Sequence, residues 1–376
     1  MKPGKIVIAL ALSWLVIPGP VWSQEAIPLY NSGTGGPGRP VRGNRMALPE
    51  PEGYMVSEGP MNGQPVAMPE GYVAEGAPMQ EWEDPELGGH YTFYTSLEFL
   101  LWKARRRDQD FAILDQINDG RAQGRIENAQ YTGNAAFRIG LGMHLPEEWT
   151  ATAYYTYFHS ANGNFRVAPP GGVLYATQTH PGLVEEAAVA NALNSINYNV
   201  WDLEFSRQFE VANETFGIRP FGGLRFANIS QNMTAYYNGG DATNDFVFTG
   251  NNLIAGGIRM GAECSWNMCW GLSLYCRGAG SLLYADYDYT INEANAGATV
   301  SNVLGTNQQI VPTLETNLGM AYTYRNFRFS VGYEFINWFG LNDNIDFADD
   351  IHQGKFFRRA SDLSLSGVTF RTELSF

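Results

Sequence analysis

The sequence predicts an all-β chain: an antiparallel transmembrane β-barrel of about ten strands, preceded by a disordered Pro/Gly-rich linker. Three observations carry this. First, the last ten residues alternate strictly. Val368, Phe370, Thr372, Leu374 and Phe376 fall on one face, and Thr369, Arg371, Glu373 and Ser375 on the other. Period two makes the segment a strand with one apolar side, the pattern a barrel wall needs between lipid and lumen. Second, mean hydropathy is −0.23 and no run of 18 apolar residues follows the N-terminus, so helical spans are excluded. Third, the connections between alternating segments are short and long in turn. Aromatics at 14% and 42 glycines suit aromatic girdles and tight crossings.

The N-terminus opens on Lys2 and Lys5, then an apolar run from Ile6 to Ile17, then Val21-Trp22-Ser23. This order reads as a signal peptide, residues 1–23, cut after Ser23. Removing it takes the net charge from −14 to −16, because Lys2 and Lys5 go with it. Such acidity argues against nucleic acid as a partner. Residues 24–88 hold ten of the nineteen prolines. Pro51-Glu52-Gly53-Tyr54 recurs as Pro69-Glu70-Gly71-Tyr72, a duplicated pair and not a solenoid. Pro and Gly at this density cannot build a core, so a disordered periplasmic linker is expected, either a passive tether or a spacer touching the cell wall.

Ordered sequence is expected from residue 89 to 376. Phe93, Leu97, Phe99 and Leu101 share a face of the first strand, with Glu98 opposite. Phe137, Ile139, Leu141 and Met143 mark the second strand, and Trp149, Ala151, Ala153, Tyr155 and Tyr157 the third. Trp201, Leu203 and Phe205 mark the fourth; Ile218, Leu224 and Phe226 the fifth. The sixth and seventh run over about 254–265 and 270–284. Leu314, Leu318, Met320 and Tyr322 mark the eighth, and Phe327, Phe329, Val331, Tyr333 and Phe335 the ninth. Long loops are expected over 159–195, 231–252, 286–309 and 340–360. Short turns follow the even strands and long loops the odd ones, as outer-membrane barrels arrange them, with both termini in the periplasm. Twelve strands result if Val173–Gln178 and another loop segment pair up. A soluble β-sandwich is the competing fold, and it does not require the long–short alternation.

In this frame the charges inside strands face away from lipid. The acids are Glu98, Asp202, Glu204, Glu263, Glu315, Glu334 and Glu373; the bases are Arg138, Arg219, Arg225, Arg259, Arg277, Arg328 and Arg371. All seven bases are Arg, which pairs bidentately with carboxylates. Two readings stand: a narrow barrel filled by paired charges, or a charged lumen that passes ions. Small barrels are filled by their side chains.

Several stretches carry a resemblance. They include Phe99-Leu100-Leu101-Trp102-Lys103-Ala104-Arg105, Phe137-Arg138-Ile139-Gly140-Leu141-Gly142, Trp201-Asp202-Leu203-Glu204-Phe205 and Arg219-Pro220-Phe221-Gly222-Gly223-Leu224-Arg225. Phe335-Ile336-Asn337-Trp338-Phe339 and Asp362 to Phe370 complete the ordered series, over about residues 90–376. In these the chain resembles the Legionella major outer membrane protein family of pore-forming barrels. The resemblance implies an outer-membrane barrel and pore formation; the linker falls outside it.

A terminal strand ending in Phe376 also looks like the signal read by the barrel assembly machinery. Cys264 and Cys269 flank a short turn and are either a disulfide or unpaired wall residues. Their number, with no His nearby, points away from a metal site. His159 precedes Ser160, but no G-x-S-x-G elbow occurs, so no enzyme and no cofactor is expected. Asp343, Asp346, Asp349 and Asp350 lack the calcium-loop spacing and read as a solvated loop. Outside the wall, residues 89–376 hold 21 acids and 12 bases, from which weak cation preference is expected for small ions or solutes if the lumen is open. The alternative is a closed structural or adhesive barrel that binds a partner through its outer loops or the linker.

Overall fold

The computed structural model describes residues 92–211, 215–268, 270–349, 351–352 and 354–376. The signal-peptide and linker readings, Cys269 and Asp350 lie outside these residues. The chain divides between Met79 and Gln80, and everything described belongs to the second unit.

Fifteen strands and no helix make up the described chain. They are β1 (Thr92–Arg105), β2 (Asp110–Asp115), β3 (Arg125–Asn128), β4 (Gly133–His144), β5 (Trp149–Val167), β6 (Val173–Ala176), β7 (Glu186–Ala187) and β8 (Val189–Arg207). There follow β9 (Phe209–Val211), β10 (Phe216–Gly239), β11 (Ala242–Asn267), β12 (Leu272–Asn295), β13 (Ala298–Tyr324), β14 (Phe327–Phe347) and β15 (Phe356–Ser375). Ten of them close a ring in the order β1, β4, β5, β8, β10, β11, β12, β13, β14, β15, and β15 pairs back onto β1 from Tyr94↔Ser375 to Arg105↔Ser364. Closure leaves no ring strand with a free edge, which a wall in lipid cannot tolerate. The Phe93 amide donates to the Phe376 carbonyl at 3.1 Å and the Phe376 amide to the Phe93 carbonyl at 2.9 Å, so the last residue finishes the seam.

Val173–Gln178 does not add strands to the ring. β6 lies in a separate four-stranded sheet, order β3-β2-β6-β7, built from two connections at the loop end. This sheet packs Phe111, Ala112 and Leu174 against Met233, Tyr237 and Val247 of β10 and β11.

The expected loops at 231–252 and 286–309 are not loops. They are the far halves of two hairpins, β10–β11 and β12–β13, whose turns occupy only 240–241 and 296–297. At 24 and 26 residues, β10 and β11 are far longer than the ~9–11 residues a bilayer requires. The residues between 159 and 195 are likewise mostly strand, since β5 runs to Val167 and β8 begins at Val189.

The reason is an inversion of the alternation. Along the first half of β10 the outward residues include Phe216, Ile218, Leu224 and Phe226, while Arg219 and Arg225 point inward. From Ala227 onward the inward residues are Ala227, Ile229, Gln231, Met233, Ala235 and Tyr237, all buried and all but Gln231 hydrophobic, and the outward ones include Asn228, Ser230, Asn232 and Thr234. β12 changes sides between Tyr284 and Ala285, β8 between Trp201 and Val200, and β1 between Leu101 and Trp102. The wall is thus apolar outside and charged inside over one band, then apolar inside and polar outside above it. The first pattern suits lipid, the second water. Read with a single apolar face, the upper halves lose their signal and look like polar loops.

Candidate functional site in the barrel interior

All fourteen wall charges point into the ring, and ion pairs join them in two groups, nine around Glu263, Glu204 and Glu315 and five around Glu98 and Arg138. Six register pairs set opposite charges side by side: Glu98↔Arg138, Glu98↔Arg371, Arg219↔Glu263, Arg225↔Asp202, Glu263↔Arg277 and Arg328↔Glu373. Neighbouring strands place such residues about 5 Å apart, so these pairs follow from pairing alone. Arg225 grips Asp202 with two bonds, Nε to Oδ1 at 2.6 Å and Nη2 to Oδ2 at 2.8 Å. Arg219 donates to Glu263 at 2.8 Å, and Arg138 to Glu98 at 2.8 Å.

Other contacts cross the lumen. Arg225 on β10 also reaches Glu315 on β13, and Arg259 on β11 bridges Glu204 at 2.9 Å and Glu315 at 2.6 Å. Arg277 reaches Glu204 on β8, and Arg138 reaches Glu334 on β14 at 3.1 Å. Arg328 on β14 stands 3.6 Å from Glu263 on β11, while Arg371 donates to Glu373 on its own strand at 2.7 Å. Only a narrow barrel lets strands that are not neighbours share partners this way. Two glycines narrow it further. A Cβ at Gly140 would meet the Tyr154 ring at 2.6 Å, and one at Gly142 the Tyr94 ring at 2.4 Å, so both tyrosines lie flat over the β4 backbone. What remains is a polar cavity of about 60 Å³ among Glu98, Arg138, Asp202, Glu263, Arg277 and Glu334.

Directly above the charges lies an apolar layer that sequence reasoning missed. Phe158, Trp102, Tyr198 and Trp338 form a chain of edge-on rings, with centroids 5.9, 6.1 and 5.9 Å apart. Tyr198 and Trp338 come from β8 and β14, five strands apart in a ring of ten, so their contact spans the lumen. Leu100, Val200, Leu283, Val311, Ile336 and Leu365 fill in around them, none more than 1% exposed. Arginines tie the two layers together: Arg138 lies over Trp102 at 5.7 Å and Arg225 over Trp338 at 6.0 Å. The signal for this layer was present in Trp102, the first inward residue past Leu101, and in Trp338, the second inward residue past Phe335.

Higher still, beyond the apolar outer band, two carboxylates are buried with little company. Asp245 is 0% exposed, and among the described residues neither of its oxygens has a partner. Glu293 accepts the His180 amide at 2.7 Å through Oε2, while Oε1 has none. Burial pushes the Asp245 carboxyl up to about 6; burial, and then the Asp245 charge, push Glu293 up to about 7.

Cys264 and Cys276 are free, exposed and opposite each other on β11 and β12, so the residue facing Cys264 in the register is Cys276. The Cys264–Cys269 pairing falls outside the described residues. His159 bonds Asn197 at 2.7 Å on the outer surface. Asp346 pairs with Arg359 and Asp349 with His352. Among the described residues no three His, Cys, Asp or Glu converge as a metal site would require.

A family model described as the Legionella pneumophila major outer membrane protein precursor matches residues 89–376. The chain belongs to this family. It is a β-barrel of the bacterial outer membrane, so the apolar outer band faces lipid, the short-turn end is periplasmic and the long upper part is extracellular. No curated protein matches the chain. Among solved structures, the outer membrane protease OmpT from Escherichia coli aligns at 9% identity and a TM-score of 0.44, over 76% of this chain and 97% of that one. A Pseudomonas aeruginosa FadL homologue aligns at 7% and 0.22 (76% and 90%), and the outer membrane channel DcaP of Acinetobacter baumannii at 8% and 0.19 (77% and 97%). Likenesses this loose carry nothing about activity.

Proposed function

We propose that this protein is a gated, non-enzymatic pore of the outer membrane for small ions, and that the described conformation is its shut state. The observation that carries the reading is the stacking of two layers: a charged lumen with a small polar cavity, closed by a single sheet of rings at Tyr198–Trp338. Several arginines already touch more than one carboxylate, Arg138 with Glu98 and Glu334, Arg259 with Glu204 and Glu315, Arg277 with Glu204 and Glu263. Exchanging one partner for another leaves no charge unpaired, so the lower layer can rearrange at low cost where breaking a pair outright is costly. The acid excess outside the wall supports cation preference in the open state, weakening as salt shortens the ~8–10 Å screening length.

Planar-bilayer recording of refolded protein tests it. Brief openings from a closed baseline are expected, with reversal potentials across a KCl gradient on the cation side. Silence at all voltages would favour the second reading, a closed barrel that acts through its extracellular face. That reading is supported by the loop sheet, which packs onto the upper wall around Phe111, Leu174 and Tyr237. Under either reading the proposed partners are outer-membrane lipid and, through Phe376, the assembly machinery.

A further inference from the structure

The outward face of β1 changes chemistry sharply at its upper end. Phe93, Leu97, Phe99 and Leu101 are exposed and apolar, and the next two outward residues are Lys103 and Arg105. At ~3.4 Å per residue and a strand tilt near 40°, Lys103 stands ~5 Å and Arg105 ~10 Å above Leu101. The headgroup zone beyond the hydrocarbon is ~5–7 Å thick on each side, so Lys103 sits where outer-leaflet phosphates lie and Arg105 just above them. Arg107 follows, also exposed.

These three differ from most of the other cations. Most cations in the barrel are paired: Arg106 with Asp108, Arg125 and Arg166 with Glu127, Arg359 with Asp346. Among the described residues no carboxylate lies within ion-pair distance of Lys103, Arg105 or Arg107. Their neighbours are neutral and hydrogen-bonding. Ser366 faces Lys103 and Ser364 faces Arg105 across the β15 seam, while Gly133 faces Lys103 across β4 and leaves room above it. A cavity of about 380 Å³ opens there, lined by Arg105, Arg107, Gln109, Asn128, Gln130 and Ser364. One carboxylate, Asp362, also borders it, but its oxygens are turned to β14, accepting the Gly340 amide at 2.8 Å and the Asn337 side chain at 3.4 Å.

We infer that Lys103, Arg105 and Arg107, with the adjoining cavity, form a binding site for the phosphate groups of the phosphorylated glycolipid of the outer leaflet. Each element has a role. The apolar run below takes the acyl chains. Lys103 meets a phosphate from the hydrocarbon side and Arg105 from above, with long stems lying along the wall. Arg107 and the amides of Asn128 and Gln130 take the sugar–phosphate portion, where arginine's planar fork suits phosphate oxygens. A net positive patch on a chain of charge −14 restricts this attraction to one seam of the barrel, β15–β1–β4.

Native mass spectrometry of the full barrel in neutral detergent, titrated with diphosphoryl lipid A, tests this. The triple variant Lys103→Ala/Arg105→Ala/Arg107→Ala should bind at least tenfold more weakly. Arg325→Asn, at the periplasmic turn, where φ is 55° and Asn is tolerated, should bind as the unaltered protein does. Binding should weaken as salt rises and fall to the triple-variant level with fully dephosphorylated lipid A. Equal binding by the triple variant, or by dephosphorylated lipid A, would overturn the assignment. So would competition by inorganic phosphate at the lipid's own concentration, which would make this a free-anion site. Gel mobility of unboiled samples shows that each variant is folded, so loss of binding is not loss of the barrel.

Discussion

Arg225 is the residue whose removal should matter most. It is buried, it holds Asp202 with two bonds, it touches Glu315 across the lumen, and its guanidinium lies over Trp338. Arg225→Met keeps most of the volume and removes the charge. Glu315 retains Arg259 at 2.6 Å, so the burden falls on Asp202, a carboxylate 5% exposed that loses both its bonds. Removing one partner of a buried pair costs about 3–5 kcal/mol, chiefly because the other charge is left desolvated and alone. Removing both should not: Arg225→Met/Asp202→Leu replaces a paired charge with apolar contact and is expected to recover at least ~2 kcal/mol of that loss. Urea unfolding in detergent micelles, followed by the mobility of unboiled samples, measures both. A single variant within ~1 kcal/mol of the unaltered protein, or a double variant worse than the single, would refute the claim that Asp202 is desolvated and depends on Arg225. In bilayers the single variant should also open more often, since it unfastens the arginine that joins the charged layer to the rings.

Three further outcomes are expected. Trp338→Ala removes the far side of the Tyr198 contact; it should cost about 3–5 kcal/mol as a large-to-small core change and raise the open fraction in bilayer recordings, and unchanged conductance would show that the ring layer is not the barrier. The extracellular half should weaken as pH rises from about 4 to 7: Asp245 and Glu293 have folded values raised to about 6 and 7, so the folded state holds protons the unfolded state has released, and the stability present at acid pH is lost through that window. Hydrogen exchange of the upper strands of β11 and β12 reads this, and Asp245→Asn/Glu293→Gln should flatten the dependence. Deleting Phe376 removes both bonds of the terminal seam and should leave unboiled and boiled samples with the same mobility in the membrane fraction, whereas the intact chain should shift on boiling.

Much of the lower barrel is determined by the sequence alone. Where the wall meets lipid on one side and charge on the other, period two is the whole signal, and Val368 to Phe376 or Phe93 to Leu101 can be read by inspection. The same alternation puts all fourteen charges on the inward side. Adjacent-strand pairs such as Arg225 with Asp202 need only the register in addition. Three things were decided by tertiary structure. The upper halves of β10 to β13 were hidden because lipid gives way to water there, so the apolar face moves from outside to inside and no single-face reading can follow it. The count of ten strands was legible in ten alternating segments, but the seam that closes them and the diversion of β6 into a separate sheet depend on which edges meet, about which alternation is silent. The contacts that shut the lumen, Tyr198 against Trp338 and Arg225 against Glu315, join strands five and three places apart. Their meeting depends on the diameter of a closed barrel, set by strand number and stagger together, which no stretch of sequence contains by itself.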